Sequence, residues 1–215
     1  HIKPYRMNDS SKNQHCDRTE PMKIALDIGH ARGTGARGNG FEEHAIATSI
    51  VDHLFTELKD KGHDVHVIDF PDMSNTGDLN ATIRAANSGG YDFGISIHCD
   101  SAQKKRREVD ENKLIEIITT PDPAPHGAHV CFFPSSSRGR KLAQCIAEYL
   151  TGILPGRADA IQERSNLAIL KKTKPVWVLC ECGFITNPGD ADVMKHHPES
   201  IANSIALGVE DYCKE

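Results

Sequence analysis

The sequence predicts an α/β protein, a single domain built on a mainly parallel twisted sheet with helices on both faces. Three observations predict it. Short apolar runs of strand length alternate with segments whose apolar residues recur at helical spacing, as in KIALDIGH followed by EHAIATSIVDHLFTELK, and that alternation implies βαβ units. At 215 residues the chain can bury one sizeable core. Apolar residues at 38% against charged residues at 26% match a globular domain rather than a disordered or fibrous one.

Residues 1–21 are polar and carry no apolar segment of secretory type, so they read as a tail, disordered or vector-derived, ahead of one catalytic-size domain over 22–215. KIALDIGH is a continuous apolar run, the pattern of a strand buried on both faces. A glycine-rich loop, Ala31 to Gly40, leads to a helix from about Glu43 to Lys61 with Ile46, Ala47, Ile50, Val51, Leu54 and Leu58 on one face. The alternation continues with strand HDVHVIDF, a helix from Asp78 to about Ser88, and strand YDFGISIH. Strand AHVCFF, a helix from Ser137 to about Ile153, strand VWVLCE and a closing helix around Ser200 to Tyr212 complete it. Gln103–Pro125 reads as an insertion, charge-dense at its start and proline-rich at its end, and long for a connection between two strands.

Several function classes fall away on composition. No uncharged apolar stretch approaches the ~20 residues a membrane-spanning helix needs. Thirty acidic against 25 basic residues give a net charge of −5, which disfavours a nonspecific nucleic-acid surface. Seven cysteines, an odd number without a CxxC pair, argue against a disulfide framework or a thiolate zinc cage. Cys180 and Cys182 flank one residue of a strand and read as core neighbours on one face; Cys16 and Cys213 lie near the termini.

In open α/β sheets, ligands gather beyond the carboxyl ends of the strands. There the sequence places His30 after the first strand, His98 at the end of SIH, and Glu181 at the end of VWVLCE. Two imidazoles and a carboxylate on one rim are zinc-type chemistry. A further ligand is available from Glu42 or Glu43. Glu43 is followed at helical spacing by Ile46, Ala47 and Ile50 and so sits above the buried face, whereas Glu42 leads to Ala45, Ser49 and His53. A carboxylate on that face needs a metal or another partner, or it serves the helix dipole. His44, His53, His63, His66, His196 and His197 read as structural, the last two in a late loop, and the HxxH pair His126 and His129 as a substrate contact or structural.

The segments DIGH, SIHCDSA and LAILKKTKPVWVLCECGFITNPGDADVM resemble the zinc-dependent N-acetylmuramoyl-L-alanine amidases, the type-3 amidase catalytic domain. The resemblance runs from about Lys23 to Tyr212. It rests on a Glu-x-Gly-Phe-x-Thr/Ser-Asn signature at Glu181–Asn187 and a Ser-Ile-His motif at Ser96–His98. It implies one zinc per chain on His30, Glu43 and His98, and Glu181 as the catalytic acid/base. The substrate it implies is peptidoglycan or a muropeptide, cut between N-acetylmuramic acid and L-Ala at the cell wall, outside the cytoplasm. Cys99 and Cys182 stand where small residues such as Ala or Thr are usual, and neither an export signal nor a wall-binding repeat is visible. The family also makes Gln103–Pro125 a candidate lid, with Glu111 and Glu116 as acids able to reach an open zinc position, beside the plainer reading of a loop that walls the substrate groove.

Two other readings compete. Gly33–Gly38 matches GxGxxG between a strand and a helix, which suggests a nucleotide-binding α/β enzyme. The loop starts too late after the strand, and the acid expected ~20 residues on is missing. The second is an inactive wall-binding module that keeps the fold, against which all four site positions are present.

Overall fold

The computed structural model describes residues 20–215; the tail expected over 1–21, and Cys16 with it, lies outside the described residues but for its last two positions. The elements, in chain order, are β1 (Lys23–Ile28), β2 (Arg37–Gly38), β3 (Phe41–Glu42), α1 (Glu43–Asp60), β4 (Asp64–Ile68), α2 (Asn75–Ser88) and β5 (Phe93–Asp100). They continue with β6 (Gln103–Val109), β7 (Ile115–Pro121), β8 (His129–Phe132), α3 (Ser137–Ile153), β9 (Ile161–Glu163), α4 (Ala168–Lys172), β10 (Val176–Phe184), α5 (Pro188–His196) and α6 (Pro198–Cys213).

The sheet has six strands in the order β4-β1-β5-β10-β8-β9. β4, β1, β5 and β10 are mutually parallel, while β8 runs antiparallel to β10. The apolar runs are continuous because both faces are covered. Ile24, Leu26 and Ile28 of β1, with Phe93, Ile95 and Ile97 of β5, face α1, α3 and α6, whose Ile50, Leu54, Ile146, Leu150, Ile201 and Ile205 close the main core. The alternate residues Ala25, Trp177, Leu179 and Cys131 pack under Ile83 of α2 and Ile169 of α4 in a smaller core. Cys180 and Cys182 are both fully buried on the main-core face, as expected.

The structure corrects several boundaries. α2 begins at Asn75 rather than Asp78, because Ser74 caps it by accepting from Gly77 N at 3.1 Å. His196 belongs to a helix rather than a loop: Asn187 caps α5, its Oδ1 accepting from Asp190 N, with Pro188 in the first turn. The closing helix starts two residues earlier, at Pro198. Gln103–Pro125 is no irregular loop either, since β6 and β7 form a hairpin paired from Gln103 with Pro121 to Val109 with Ile115.

Candidate metal centre

His30 follows the end of β1, His98 lies in β5, Glu43 is the first residue of α1, and Glu181 lies in β10. All four meet at the carboxyl end of the parallel strands. One ligand atom from each of His30, Glu43 and His98 lies within 4.8 Å of the others, a group that could hold a metal ion. Glu43 Oε1 is 3.0 Å from His98 Nδ1 and Oε2 is 3.5 Å from His30 Nε2. Glu43 is 2% exposed, on the buried side of α1 as its helical phase predicts, whereas Glu42 turns outward to Arg37 at 3.2 Å.

The glycine-rich loop completes the centre. Ala36 N donates to Glu43 Oε2 at 2.6 Å, Gly33 N to Glu42 Oε1 at 2.5 Å, and Thr34 N to Ala31 O. These amides are therefore engaged by the chain's own oxygens, and the anion that this loop cradles is Glu43 rather than a phosphate. Cys99 N donates a further bond to Glu43 Oε1 at 3.0 Å. Gly35, at φ 81°, lies so close that an added Cβ would stand 2.7 Å from Glu43 Oε2 and 2.9 Å from the His30 ring.

Burial pushes the Glu43 carboxyl up, but the hydrogen bond and charge of His98, the charge of His30 and the Ala36 N–H together hold it below the usual range. Burial pushes His98 down, and the bond and charge of Glu43, helped by Glu181 and Asp27, outweigh it and hold the imidazolium up to about 9. A proton and a metal cation would compete for the same lone pairs here. Two imidazole nitrogens and one carboxylate oxygen form the donor set of a catalytic zinc site, which leaves a coordination position open.

Glu181 stands in register with His98 on one side and with His129 of β8 on the other. Burial, with Asp100 and Glu43 adding to it against the pull of His98 and Arg164, raises its carboxyl to about 8. Its Oε2 is buried without a hydrogen-bond partner. A cavity of about 230 Å³ joins Glu181, His30 and His98 to Asp27, Asn75 and Asp78, with Leu79, Leu167 and Ile169 as an apolar wall. A more open hollow of about 370 Å³ near Met22, Ser137 and Tyr212 brings none of these four residues together.

The cavity also contains residues that sequence reasoning left without a role. Asn75 Oδ1 lies 2.6 Å from His30 Nδ1. Asp27, 5% exposed, accepts from Ser96 Oγ at 2.6 Å, and Ser96 in turn accepts from Trp177 Nε1 at 2.8 Å; burial raises Asp27 to about 7. Asp27 stands in the DIGH run, and Asn75 follows Ser74, a cap residue that marks the start of α2. Of the histidines read as structural, His44 meets Asp69 at 3.1 Å and His63 meets Glu210 at 2.7 Å, both away from the cavity.

The family model for N-acetylmuramoyl-L-alanine amidase matches residues 24–211. The chain belongs to that family. Membership makes it an amidase-class peptidoglycan hydrolase. It is 26% identical to the uncharacterized protein YqiI of Bacillus subtilis, over 90% of this chain and 85% of that protein. It is 28% identical to the sporulation-specific N-acetylmuramoyl-L-alanine amidase of the same organism, over 88% of this chain and 67% of the other. Among solved structures, the catalytic domain of the CD27L endolysin targeting Clostridia Difficile superposes on this amidase with a TM-score of 0.73 at 26% identity, covering 88% of this chain and 97% of that one.

Proposed function

We propose that this chain is a zinc-dependent N-acetylmuramoyl-L-alanine amidase that hydrolyses the amide joining the lactyl group of N-acetylmuramic acid to L-Ala of the stem peptide. One zinc per chain is held by His30, Glu43 and His98, and Glu181 is the general acid/base. The observation that carries this reading is the convergence of those three ligand atoms within 4.8 Å, two of them, on His30 and His98, lining the same cavity as the Glu181 carboxylate. Zinc bound there supplies an activated water and polarises the scissile carbonyl.

The chain's own residues do the rest. Asn75 turns His30 so that Nε2 faces Glu43, and the Ala36 and Cys99 amides fix both oxygens of Glu43. Glu181 takes a proton from the attacking water as its oxygen bonds to the carbonyl carbon. It returns that proton to the nitrogen as the C–N bond breaks, leaving a muramic carboxylate and a free α-amino group on L-Ala. A carboxyl raised toward neutrality suits both halves of that cycle. Peptidoglycan is then the partner and the cell wall, outside the cytoplasmic membrane, the place of action; no described helix is long and apolar enough to cross a membrane.

Mass spectrometry of digested sacculi tests the reading. The expected products are stem peptides with a new free amino group on L-Ala and intact glycan strands. New reducing sugar ends without free L-Ala would overturn it. His30→Ala and His98→Ala should each lose both stoichiometric zinc and activity.

A further inference from the structure

Among the described residues, four buried side-chain polar atoms lack a hydrogen-bond partner, and two of them are His129 Nδ1 and Glu181 Oε2. The residues that carry them face each other, because β8 and β10 run antiparallel with Glu181 directly opposite His129. Opposed residues of such a pair project from the same face, with Cβ atoms roughly 4.5–5.5 Å apart. A nitrogen able to donate thus faces an oxygen able to accept across two paired strands, with no hydrogen bond yet between them, where solvent reaches neither. Leaving both unpaired is costly, and pairing them removes the cost on both sides.

We propose that His129 is a positioning residue for the reaction: a small side-chain rotation brings its Nδ1–H onto Glu181 Oε2, fixing the carboxylate so that Oε1 is left to take the proton of the attacking water. The proposal rests on the amidase reading of the site. His129 Nε2 lies 3.9 Å from Asp100 Oδ2, beyond hydrogen-bond range, so no partner on that side claims the ring's single proton. The imidazole is 2% exposed, and burial with Arg157 and Arg164 nearby keeps it neutral. A neutral donor orients the carboxylate without adding a cation that would quench its basicity. A base held by a third group is the arrangement by which side chains activate a nucleophile. It also separates the two histidines beside Glu181, His98 toward the metal centre and His129 toward the base.

His129→Leu and His129→Asn test this, the Asn amide nitrogen standing close to where Nδ1 was. The Leu variant should keep zinc stoichiometry and a KM within about 2-fold while kcat falls roughly 10–100-fold, the scale for removing a group that orients a site residue. The Asn variant should recover most of that loss. An unchanged kcat in the Leu variant, a loss confined to KM, or a loss that Asn does not relieve would each overturn the proposal. A second readout needs no turnover: in the metal-free protein at neutral pH, the ¹⁵N signal of His129 Nδ1 should be that of a protonated nitrogen and should move on Glu181→Ala. An unmoved signal would overturn the proposal even if the chain cuts muramoyl amides. If it cuts none, the amidase reading fails while the nitrogen signal still decides the contact.

Discussion

His30 Nδ1 and Asn75 Oδ1 lie 2.6 Å apart, which ties the loop after β1 to the first residue of α2. The amide oxygen can only accept, so Nδ1 donates to it, and Nε2, 3.5 Å from Glu43 Oε2, is the nitrogen left to offer a lone pair to a metal. Such outer partners of metal-binding histidines set ring orientation and basicity. Asn75→Ala should therefore weaken zinc binding by roughly 10–100-fold, read by competition with a chelator. Unchanged affinity would show that the ring is oriented by its backbone, at φ 62°, without help from α2.

Gly35 and Gly40 make a matched pair. Both sit at φ 81°, but a Cβ at 35 would collide with Glu43 and His30, while one at 40 meets nothing within 4 Å. Alanine at either position carries left-handed strain of roughly 1–2 kcal/mol. Only Gly35→Ala should also lose zinc, because the two groups it displaces are proposed ligands. Equal zinc content in the two variants, measured at matched concentrations of free metal, would remove the loop from the centre.

Glu181→Gln should keep the fold and the metal and lose about 10²-fold or more in activity, the scale for removing a general base. The amide is nearly isosteric with the carboxylate but cannot accept the proton. Stoichiometric zinc with normal turnover would point to another base.

The central strands could be read from the sequence because burial on both faces makes them continuous apolar runs, and their ends named His30, His98 and Glu181. Helical phase and the family resemblance together separated Glu43 from Glu42, and the burial of Glu43 agrees with that phase. What stayed hidden lacked a period. β6 and β7 are exposed on both faces, so they show no alternation. β9 and α4 are three and five residues long, too short to repeat. Asn75 was missed because the start of α2 was placed three residues late, past its Ser74 cap. His129 was visible only as half of an HxxH pair; its position opposite Glu181 comes from the antiparallel β8–β10 register, which local sequence does not encode.

Acid should destabilise the metal-free protein through His129. Burial, with Arg157 and Arg164, lowers this ring to about 4 against the partial pull of Asp159, with Asp100 beside it and Glu181 opposite. An unfolded chain protonates it near ~6.5. The stability from keeping it neutral is therefore complete above ~6.5 and is lost as pH falls from there toward 4, by up to about 3 kcal/mol. Denaturant midpoints of the wild type and His129→Leu, taken between about pH 7 and pH 4.5, should show the variant with the shallower loss. Taking the difference cancels the other buried groups, Asp27 and His98 among them. Parallel curves would mean that the ring ionises at its ordinary value.

The β6–β7 hairpin stands apart energetically. Its strands pair only with each other, and Val109, Leu114, Ile115 and Ile117 are each more than half exposed. Its base is fixed to the rim of the centre, where Ala102 N donates to Thr186 Oγ1 at 3.1 Å and Asn187 Nδ2 to the Pro123 carbonyl at 2.7 Å. Glu111 and Glu116 are exposed, and neither lines the cavity, which argues for a wall rather than a lid. Lys105 and Arg107 share a face with Ile115 and Ile117, since Arg107 pairs with Ile117 and the side chains alternate along each strand. On the amidase reading, that face is expected to bind the carboxylates of the substrate. Replacing Lys104–Pro121 with a short Gly-Ser linker should leave stability within about 0.5 kcal/mol, as for changes away from the core, and leave zinc content unchanged. KM on sacculi should rise several-fold at constant kcat, and the rise should shrink as salt screens the charges. Faster turnover of soluble muropeptide by the shortened chain would instead make the hairpin an inhibitor, and unchanged kcat and KM would leave it no part in catalysis.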